Sequence, residues 1–167
     1  MKSMAVLIDS NILLDIFLNR MEFLENSRKV FDLCKNKIVS GKLAAHTITN
    51  LFYILRKNYT DEQRRNLLIS LFEIFDVISI DKNRLVAALE NSNFRDFEDC
   101  LQDECASDIN ADYIITRNTK DFKGSMVKAI TPEEFLENFD APHNQQIHNW
   151  LSIKCHPRMR FPCRARE

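Results

Sequence analysis

The sequence predicts an α/β domain of three layers, in which a mostly parallel central sheet lies between helices. Short continuous apolar runs, which are typical of strands buried on both faces, alternate along the chain with apolar residues at helical spacing. The order is strand, helices, strand, helices, strand, two helices, strand, strand and helix. Strands separated by helices in this way pair in parallel through helical crossovers, so we expect one three-layer domain.

Apolar spacing and capping residues place each element. In the N-terminal half we predict a strand at 4–8, helices at 11–20 and 23–37, a very short strand at 43–45, and helices that begin at Thr47 and Asp61. Gly41 is predicted to close the second helix. In the C-terminal half we predict a strand at 77–80, a helix at 84–91 capped by Asp81, a helix at 96–109, strands at 113–116 and 127–130, and a helix that starts at Thr131 with Pro and Glu in its first turn.

Composition divides the chain into two parts. It has 167 residues and 45% hydrophobic content, which suffices for one domain with its own core. Residues 1–140 carry 18 Lys and Arg against 23 Asp and Glu, whereas residues 141–167 carry five against one. We therefore predict a domain at 1–140 and a basic, partly disordered tail at 141–167. The acidic domain argues against broad electrostatic binding of nucleic acid, so any RNA contact is expected to be local or assisted by the tail.

The N-terminal residues and the cysteines indicate a cytoplasmic protein without a membrane segment. The segment before Asp9 is too short, and too soon acidic, for a signal peptide. No apolar run approaches the roughly 20 residues that span a bilayer. Five cysteines, an odd number at scattered spacings, are typical of reduced thiols.

Three acidic segments stand at the ends of predicted strands or the starts of predicted helices. They are Asp9 with Asn11, Asp96 with Asp99, and Asn118 with Asp121. Each has an ordinary explanation when taken alone, because Asp favours helix N-termini and loops are often polar. The carboxyl ends of parallel strands lie along one edge of a sheet, however, where their loops meet. Carboxylates gathered there need a cation, and oxygen ligands with amide support favour Mg²⁺ or Mn²⁺.

Four segments of the chain resemble the PIN-domain family, which includes the VapC-like ribonuclease toxins of bacterial toxin–antitoxin pairs. These segments are 6–15, 47–56, 96–102 and 112–122. They occur in the order and at about the separations of that family, and the resemblance covers roughly residues 4–138. It implies a PIN-like fold, divalent-metal-dependent cleavage of RNA, a homodimer and, for a toxin, a small antitoxin that blocks the acidic cleft.

The resemblance also assigns roles to residues of the three acidic segments. By it, Asp9, Asp99 and Asp121 match the metal-ligating and catalytic acids, and Asn11 and Asn118 are polar residues beside them. The family places a Glu early in the helix after the second strand, and this chain has Asn50 there. An amide oxygen can bind Mg²⁺ or its water but carries no negative charge and accepts no proton as a base. Two outcomes stay open: Asp96 supplies the missing charge, or the site binds metal weakly and turns over slowly.

Three functions remain in contention at this point. The first is a metal-dependent ribonuclease, with the metal polarising the phosphate and activating a water. The second is a catalytically weakened PIN-like module that binds RNA or a protein partner, which Asn50 and the acidic surface favour. The third is an α/β phosphoryl-transfer domain with Asp9 as nucleophile. The third ranks last, because Asn11 occupies the place where that chemistry predicts a second Asp.

Other candidate residues carry less weight. Arg117 and Lys120 flank the third segment and are either phosphate contacts or ordinary exposed cations. His46 is expected to pack or cap a helix. The tail histidines and cysteines fit no standard zinc finger, and its arginines with Trp150 and Phe161 are either an RNA-binding surface or a plain basic tail. Some of the 12 phenylalanines are expected to line an oligomer or partner surface.

Overall fold

Five parallel strands form the centre of the structure. The computed structural model describes residues 4–139, and the predicted tail at 141–167 lies outside them. The strands are β1 (Ala5–Ile8), β2 (Ser40–Ala44), β3 (Asp76–Ile78), β4 (Tyr113–Ile115) and β5 (Ala129–Ile130). They lie in the order β3-β2-β1-β4-β5, and every neighbouring pair is parallel. The parallel α/β fold predicted from the sequence is confirmed.

The helices connect these strands in the predicted order. Within residues 4–139 they are α1 (Ser10–Phe17), α2 (Met21–Lys35), α3 (Ala45–Ile54), α4 (Asp61–Leu71), α5 (Lys82–Glu90), α6 (Phe97–Asp108) and α7 (132–139). Short 3-10 helices follow α3 at Leu55–Lys57 and β4 at Thr119–Phe122. Capping hydrogen bonds confirm two of the predicted helix N-termini. The Asp81 side chain accepts one from the backbone N–H of Arg84, and the Thr131 hydroxyl accepts one from the backbone N–H of Glu134.

The alternation of side chains along β1 creates the three layers. Val6 and Ile8 point into one core, which they share with buried residues of α1, α2 and α4 and with Phe135 of α7. Leu7 points to the opposite face and packs with Cys105 of α6. Both faces of β1 are therefore buried, as its unbroken apolar run predicts.

The strand order places a crevice at the carboxyl end of β1. Val6 of β1 lies opposite Gly41 of β2 on one side and opposite Tyr113 of β4 on the other. The chain builds the sheet outward from β1 in one direction through β2 and β3, and then in the other direction through β4 and β5. Where the direction of winding reverses, the loops after neighbouring strands separate and leave room for a site.

Gly41 corrects one prediction, because it lies inside β2 and does not close α2. Helix α2 ends at Lys35, and Lys37 adopts φ 58° in the turn that follows. A Cβ at Gly41 would lie 2.6 Å from the Phe75 ring and 2.8 Å from Cys34 Sγ. The strand therefore needs glycine for close packing against the neighbouring side chains, and helix termination plays no part.

No helix in residues 4–139 combines the length and the apolar content that a bilayer crossing requires.

Candidate functional site

Asp9 lies just beyond β1 and is held by four side-chain donors. Its Oδ2 accepts from Asn11 Nδ2 at 2.5 Å and from Thr116 Oγ1 at 2.7 Å. Its Oδ1 accepts from Gln102 Nε2 at 3.0 Å and from Ser10 Oγ at 3.2 Å. The residue is only 5% exposed. Asp9 is thus fixed in orientation by these four neighbouring donors.

Thr116 connects the end of β4 to the end of β1. While its hydroxyl donates to Asp9, its oxygen accepts from Asn11 Nδ2 at 3.1 Å and from the backbone N–H of Asn118 at 3.0 Å. Thr116 is fully buried. Thr116 was not among the predicted site residues, although it directly follows the buried strand β4 beside the end of β1.

The first turn of α6 supplies the second part of the site. Asp96 is the N-cap residue, and its Oδ1 accepts from the backbone N–H of Glu98 at 2.8 Å and of Asp99 at 3.3 Å. Asp99 and Gln102 are three residues apart and so share a helix face. Because Gln102 reaches Asp9, this face turns towards the end of β1. Gln102 is a second contact that the sequence analysis missed, and its spacing from Asp99 was the available indication.

Like charges meet at Asp99. Burial, together with the negative charges of Asp9, Asp96, Asp121 and Glu98, raises the pKa of Asp99 to about 7. None of these five acids forms an ion pair with a Lys or Arg of residues 4–139. The charges of Asp9 and Asp121 therefore both act on Asp99, and no Lys or Arg in the described part of the chain pairs with any of the three.

The acidic side chains of the described residues do not form a ready-made metal cluster. In residues 4–139 no group of three or more His, Cys, Asp and Glu side chains is close enough to hold a metal ion in its present arrangement. Carboxylate oxygens that carry unbalanced negative charge are nevertheless the type of ligand that a hard divalent cation prefers.

Asn50 contacts an acid that the sequence analysis had not selected. Its Nδ2 donates to Glu98 Oε2 at 2.6 Å, which joins α3 to α6. Asp96, the residue expected to supply the missing charge, instead uses its Oδ1 for the backbone N–H groups of the first turn. The structure therefore brings Glu98, and not Asp96, to the side chain of Asn50.

The third predicted segment lies on the 3-10 helix after β4. Asp121 is exposed, and its charge acts on Asp99. Its backbone N–H donates to Asn118 O at 2.9 Å, and the next residue, Phe122, is buried and anchors the turn. The side chain of Asn118 is exposed, so its described contribution is the backbone N–H bonded to Thr116.

Arg117 packs against a buried acid and an aromatic ring. Its Nε lies 3.1 Å from Oδ2 of the fully buried Asp15, although the N–H does not point at that oxygen. Its guanidinium carbon lies 4.2 Å from the centre of the Phe23 ring. Arg117 is therefore a structural partner of Asp15. Lys120 is exposed and forms no ion pair within residues 4–139.

The structure places two further polar residues in buried or half-buried surroundings. Asp103 of α6 is fully buried and accepts from the backbone N–H groups of Met126 at 2.9 Å and Val127 at 3.1 Å. His46 lies near the acidic site: burial lowers its pKa, while the charges of Glu98, Asp9 and Asp96 act in the opposite direction. Both ring nitrogens of His46 are buried without a hydrogen-bond partner.

Comparisons with known proteins identify relatives of the whole described domain. A family model described as PIN domain matches residues 5–120. Ribonuclease VapC1 of Aquifex aeolicus (strain VF5) is 26% identical over 145 residues, covering 84% of this chain and 99% of the relative. A toxin–antitoxin complex from Klebsiella pneumoniae contains a chain with a TM-score of 0.58 at 21% identity, covering 76% of this chain and 97% of that one. DNA-bound VapBC from Salmonella typhimurium gives a TM-score of 0.59 at 13% identity, covering 77% and 98% respectively.

Proposed function

The chain belongs to the PIN-domain family, and from this premise we propose that it is a divalent-metal-dependent endoribonuclease that cleaves phosphodiester bonds of RNA. The observation that carries the proposal is the meeting of uncompensated acids at Asp99, where the charges of Asp9 and Asp121 both act. The ribonuclease relative from Aquifex aeolicus supports RNA as the substrate.

Asp9, Asp99 and Asp121 are the residues that would hold Mg²⁺ or Mn²⁺. Their oxygen donors are of the kind that hard cations prefer, and the described residues provide no competing Lys or Arg. When bound, such an ion polarises the scissile phosphate and lowers the pKa of a coordinated water.

The chain's own residues keep this site in place. Four donors hold Asp9 in one orientation, so a divalent cation would meet a carboxylate that is already fixed in place. Asn11 and Asn50 support the acids without adding charge, Asn118 anchors the loop after β4, and Asp96 fixes the first turn of α6. Lys120 is an exposed cation one residue from Asp121 and is suited to attract the RNA backbone.

The second candidate is a catalytically weakened PIN-like module that binds RNA or a protein partner. One observation favours it: within residues 4–139 the acids are not drawn together into a metal-binding group. The neutral Asn50 acts in the same direction. The two candidate functions differ in their requirement for metal, since only the nuclease needs a metal ion for a chemical step.

A cleavage assay separates the two functions. Full-length protein is incubated with single-stranded and structured RNA in Mg²⁺, Mn²⁺ or chelator, beside Asp9→Asn and Asp99→Asn. We expect cleavage only with metal, and a loss of about a hundredfold or more in each variant. Glu104→Gln, which changes an acid elsewhere on α6, is the control and is expected to cleave normally. RNA binding that survives chelation, without any cleavage, would instead establish the second candidate.

We further propose that the protein is a cytoplasmic toxin that forms a homodimer and is inhibited by a small antitoxin. The VapBC and toxin–antitoxin structures that share its fold support a protein partner. A groove of about 630 Å³ is lined by apolar residues that include Phe72, Phe75 and Val77, and Phe72 is exposed. Tyr53 on α3 and Ile69 on α4 are also exposed. An apolar surface of this kind is typical of an interface.

Growth and mass measurements test the toxin and dimer proposals. Induced expression in a bacterium is expected to arrest growth, and Asp99→Asn is expected to remove the arrest. Light scattering coupled to size-exclusion chromatography is expected to give twice the chain mass, and Phe72→Glu to give the monomer. A native monomer would contradict the dimer, and normal growth at high expression would contradict the toxin.

A further inference from the structure

Glu98 is an exposed glutamate that is nevertheless held in one direction. Its Oε2 accepts from Asn50 Nδ2 at 2.6 Å, and the two residues are 48 positions apart on different helices. Its charge acts on both Asp99 and His46. The carboxylate of Glu98 on α6 therefore faces Asn50 of α3, and its charge also acts on Asp99.

No ion pair balances the charge of Glu98. No Lys or Arg of residues 4–139 pairs with it, and the neutral side chain of Asn50 orients its carboxylate with a hydrogen bond. Asn50 suits the task because an amide donates a proton without adding charge, whereas a carboxylate at position 50 would repel Glu98.

Independent polar atoms in the same region lack partners. Gln102 is 4% exposed and donates to Asp9, yet its Oε1 has no hydrogen-bond partner. Thr47 is 1% exposed, lies one helical turn before Asn50 on the same face of α3, and its Oγ1 is also unpartnered. Buried polar atoms without partners are costly, and they commonly mark the position of a water or ligand. A hydrated cation between α3 and α6 would satisfy both.

We propose that Glu98, oriented by Asn50, is a further carboxylate of the divalent-cation site and contacts the ion or one of its coordinated waters. The proposal rests on the proposed metal-dependent function. Asn50 and Glu98 then act as a unit, in which α3 supplies the orienting donor and α6 supplies the charge. Glu98 is the binding residue and Asn50 is the positioning residue.

Metal affinity in the absence of RNA tests the proposal directly. Mn²⁺ binding to the full-length protein is measured by calorimetry for the native chain and for Glu98→Gln, which keeps an acceptor for Asn50 and removes the charge. Removing one carboxylate is expected to weaken Mn²⁺ binding by roughly tenfold. Glu104→Gln, the same substitution on the same helix, is expected to bind as the native chain does. Native affinity in Glu98→Gln would overturn the proposal.

Moving the charge to the other helix gives a second readout. The double variant Asn50→Glu with Glu98→Gln keeps the net charge and reverses the donor and acceptor across the same contact. We expect it to regain Mn²⁺ affinity to within about threefold of the native chain, because metal affinity follows ligand charge. No recovery would overturn the claim that the two positions serve one ion.

Asp99→Asn separates this proposal from the function on which it rests. If Asp99→Asn loses Mn²⁺ binding while Glu98→Gln keeps it, only the role of Glu98 fails. If the native chain binds no Mn²⁺, or Asp99→Asn binds it fully, the metal-dependent function itself fails, and the role of Glu98 fails with it. Thermal melting of each variant verifies that it is folded.

Discussion

Thr116 Oγ1 donates to Asp9 Oδ2 across 2.7 Å, and this contact joins two residues that are 107 positions apart. The hydroxyl also accepts from Asn11 and from the backbone of Asn118. One buried side chain thus connects the first and third acidic segments of the sequence. The orientation of Asp9 depends on a residue that carries no charge.

Thr116→Val keeps the side-chain volume but removes this hydroxyl. We expect Mn²⁺ affinity and RNA cleavage to fall by roughly tenfold, because Asp9 loses a donor that orients it. The free energy of unfolding is expected to drop by about 1–2 kcal/mol, since the Asn118 N–H loses its acceptor. Calorimetry, cleavage and urea unfolding measure these effects. Thr116→Ser retains the hydroxyl and should stay near native, and a fully active Val variant would contradict the role of Thr116.

Asp99→Asn is expected to abolish cleavage while making the metal-free protein more stable. The folded pKa of Asp99, about 7, lies above its ordinary value of 3.8, so the folded state holds this proton more tightly than the unfolded chain does. The associated stability is fully present below the ordinary value and is lost as the pH rises through about 7. At pH 8 in chelator we expect the variant to be more stable than the native chain by about 1 kcal/mol. Urea unfolding at pH 4 and pH 8 measures the difference, and equal stability at pH 8 would refute it.

Arg117→Met is expected to destabilise the fold more than it affects RNA binding. Asp15 is fully buried, and Arg117 and Arg20 are its two ion-pair partners in residues 4–139. Because Arg20 remains, we expect a loss of about 2–4 kcal/mol in the free energy of unfolding. The matched variant Lys120→Met removes an exposed cation from the same loop and should change stability by less than about 0.5 kcal/mol. Equal effects of the two variants on unfolding would show that the Asp15 pair is unimportant.

Gly41→Ala is expected to destabilise the domain through overpacking. The added Cβ would lie 2.6 Å from the Phe75 ring and 2.8 Å from Cys34 Sγ, so these buried groups must move. We expect a loss of about 1–3 kcal/mol, measured by urea unfolding. Gly124→Ala is the control, because its nearest contact is Asn93 Cβ at 3.1 Å and its site is exposed. A smaller effect at Gly41 than at Gly124 would contradict the packing argument.

The sequence predicted the sheet well where burial dictates residue type. The residues of β1 and β4 are buried on both faces, which requires the apolar runs that identified them. The start of β2 was missed because Gly41 and Lys42 interrupt its apolar character, and glycine there serves packing against Phe75. Helix starts with a capping residue, such as Asp81 and Thr131, were the most accurate boundaries.

Only part of the candidate site could be predicted from the sequence, because some of its contacts depend on the fold. The three acidic segments stand out by their places along the chain, and the resemblance to the PIN-domain family singles out Asp9, Asp99 and Asp121 within them. Gln102 and Thr116 became site residues only through the topology that brings α6 and β4 to the end of β1. Glu98 was visible as a charge, but the partner that holds it is 48 residues away, and no local pattern indicates such a contact.

The position of β4 next to β1 has a consequence during protein synthesis. A ribosome releases β1 and Asp9 long before Tyr113–Ile115, so a growing chain carries the first acid without its neighbours. The proposed nuclease centre is therefore absent until most of the domain has emerged. While it is being synthesised, such a chain could not cleave its own mRNA until its translation is nearly finished.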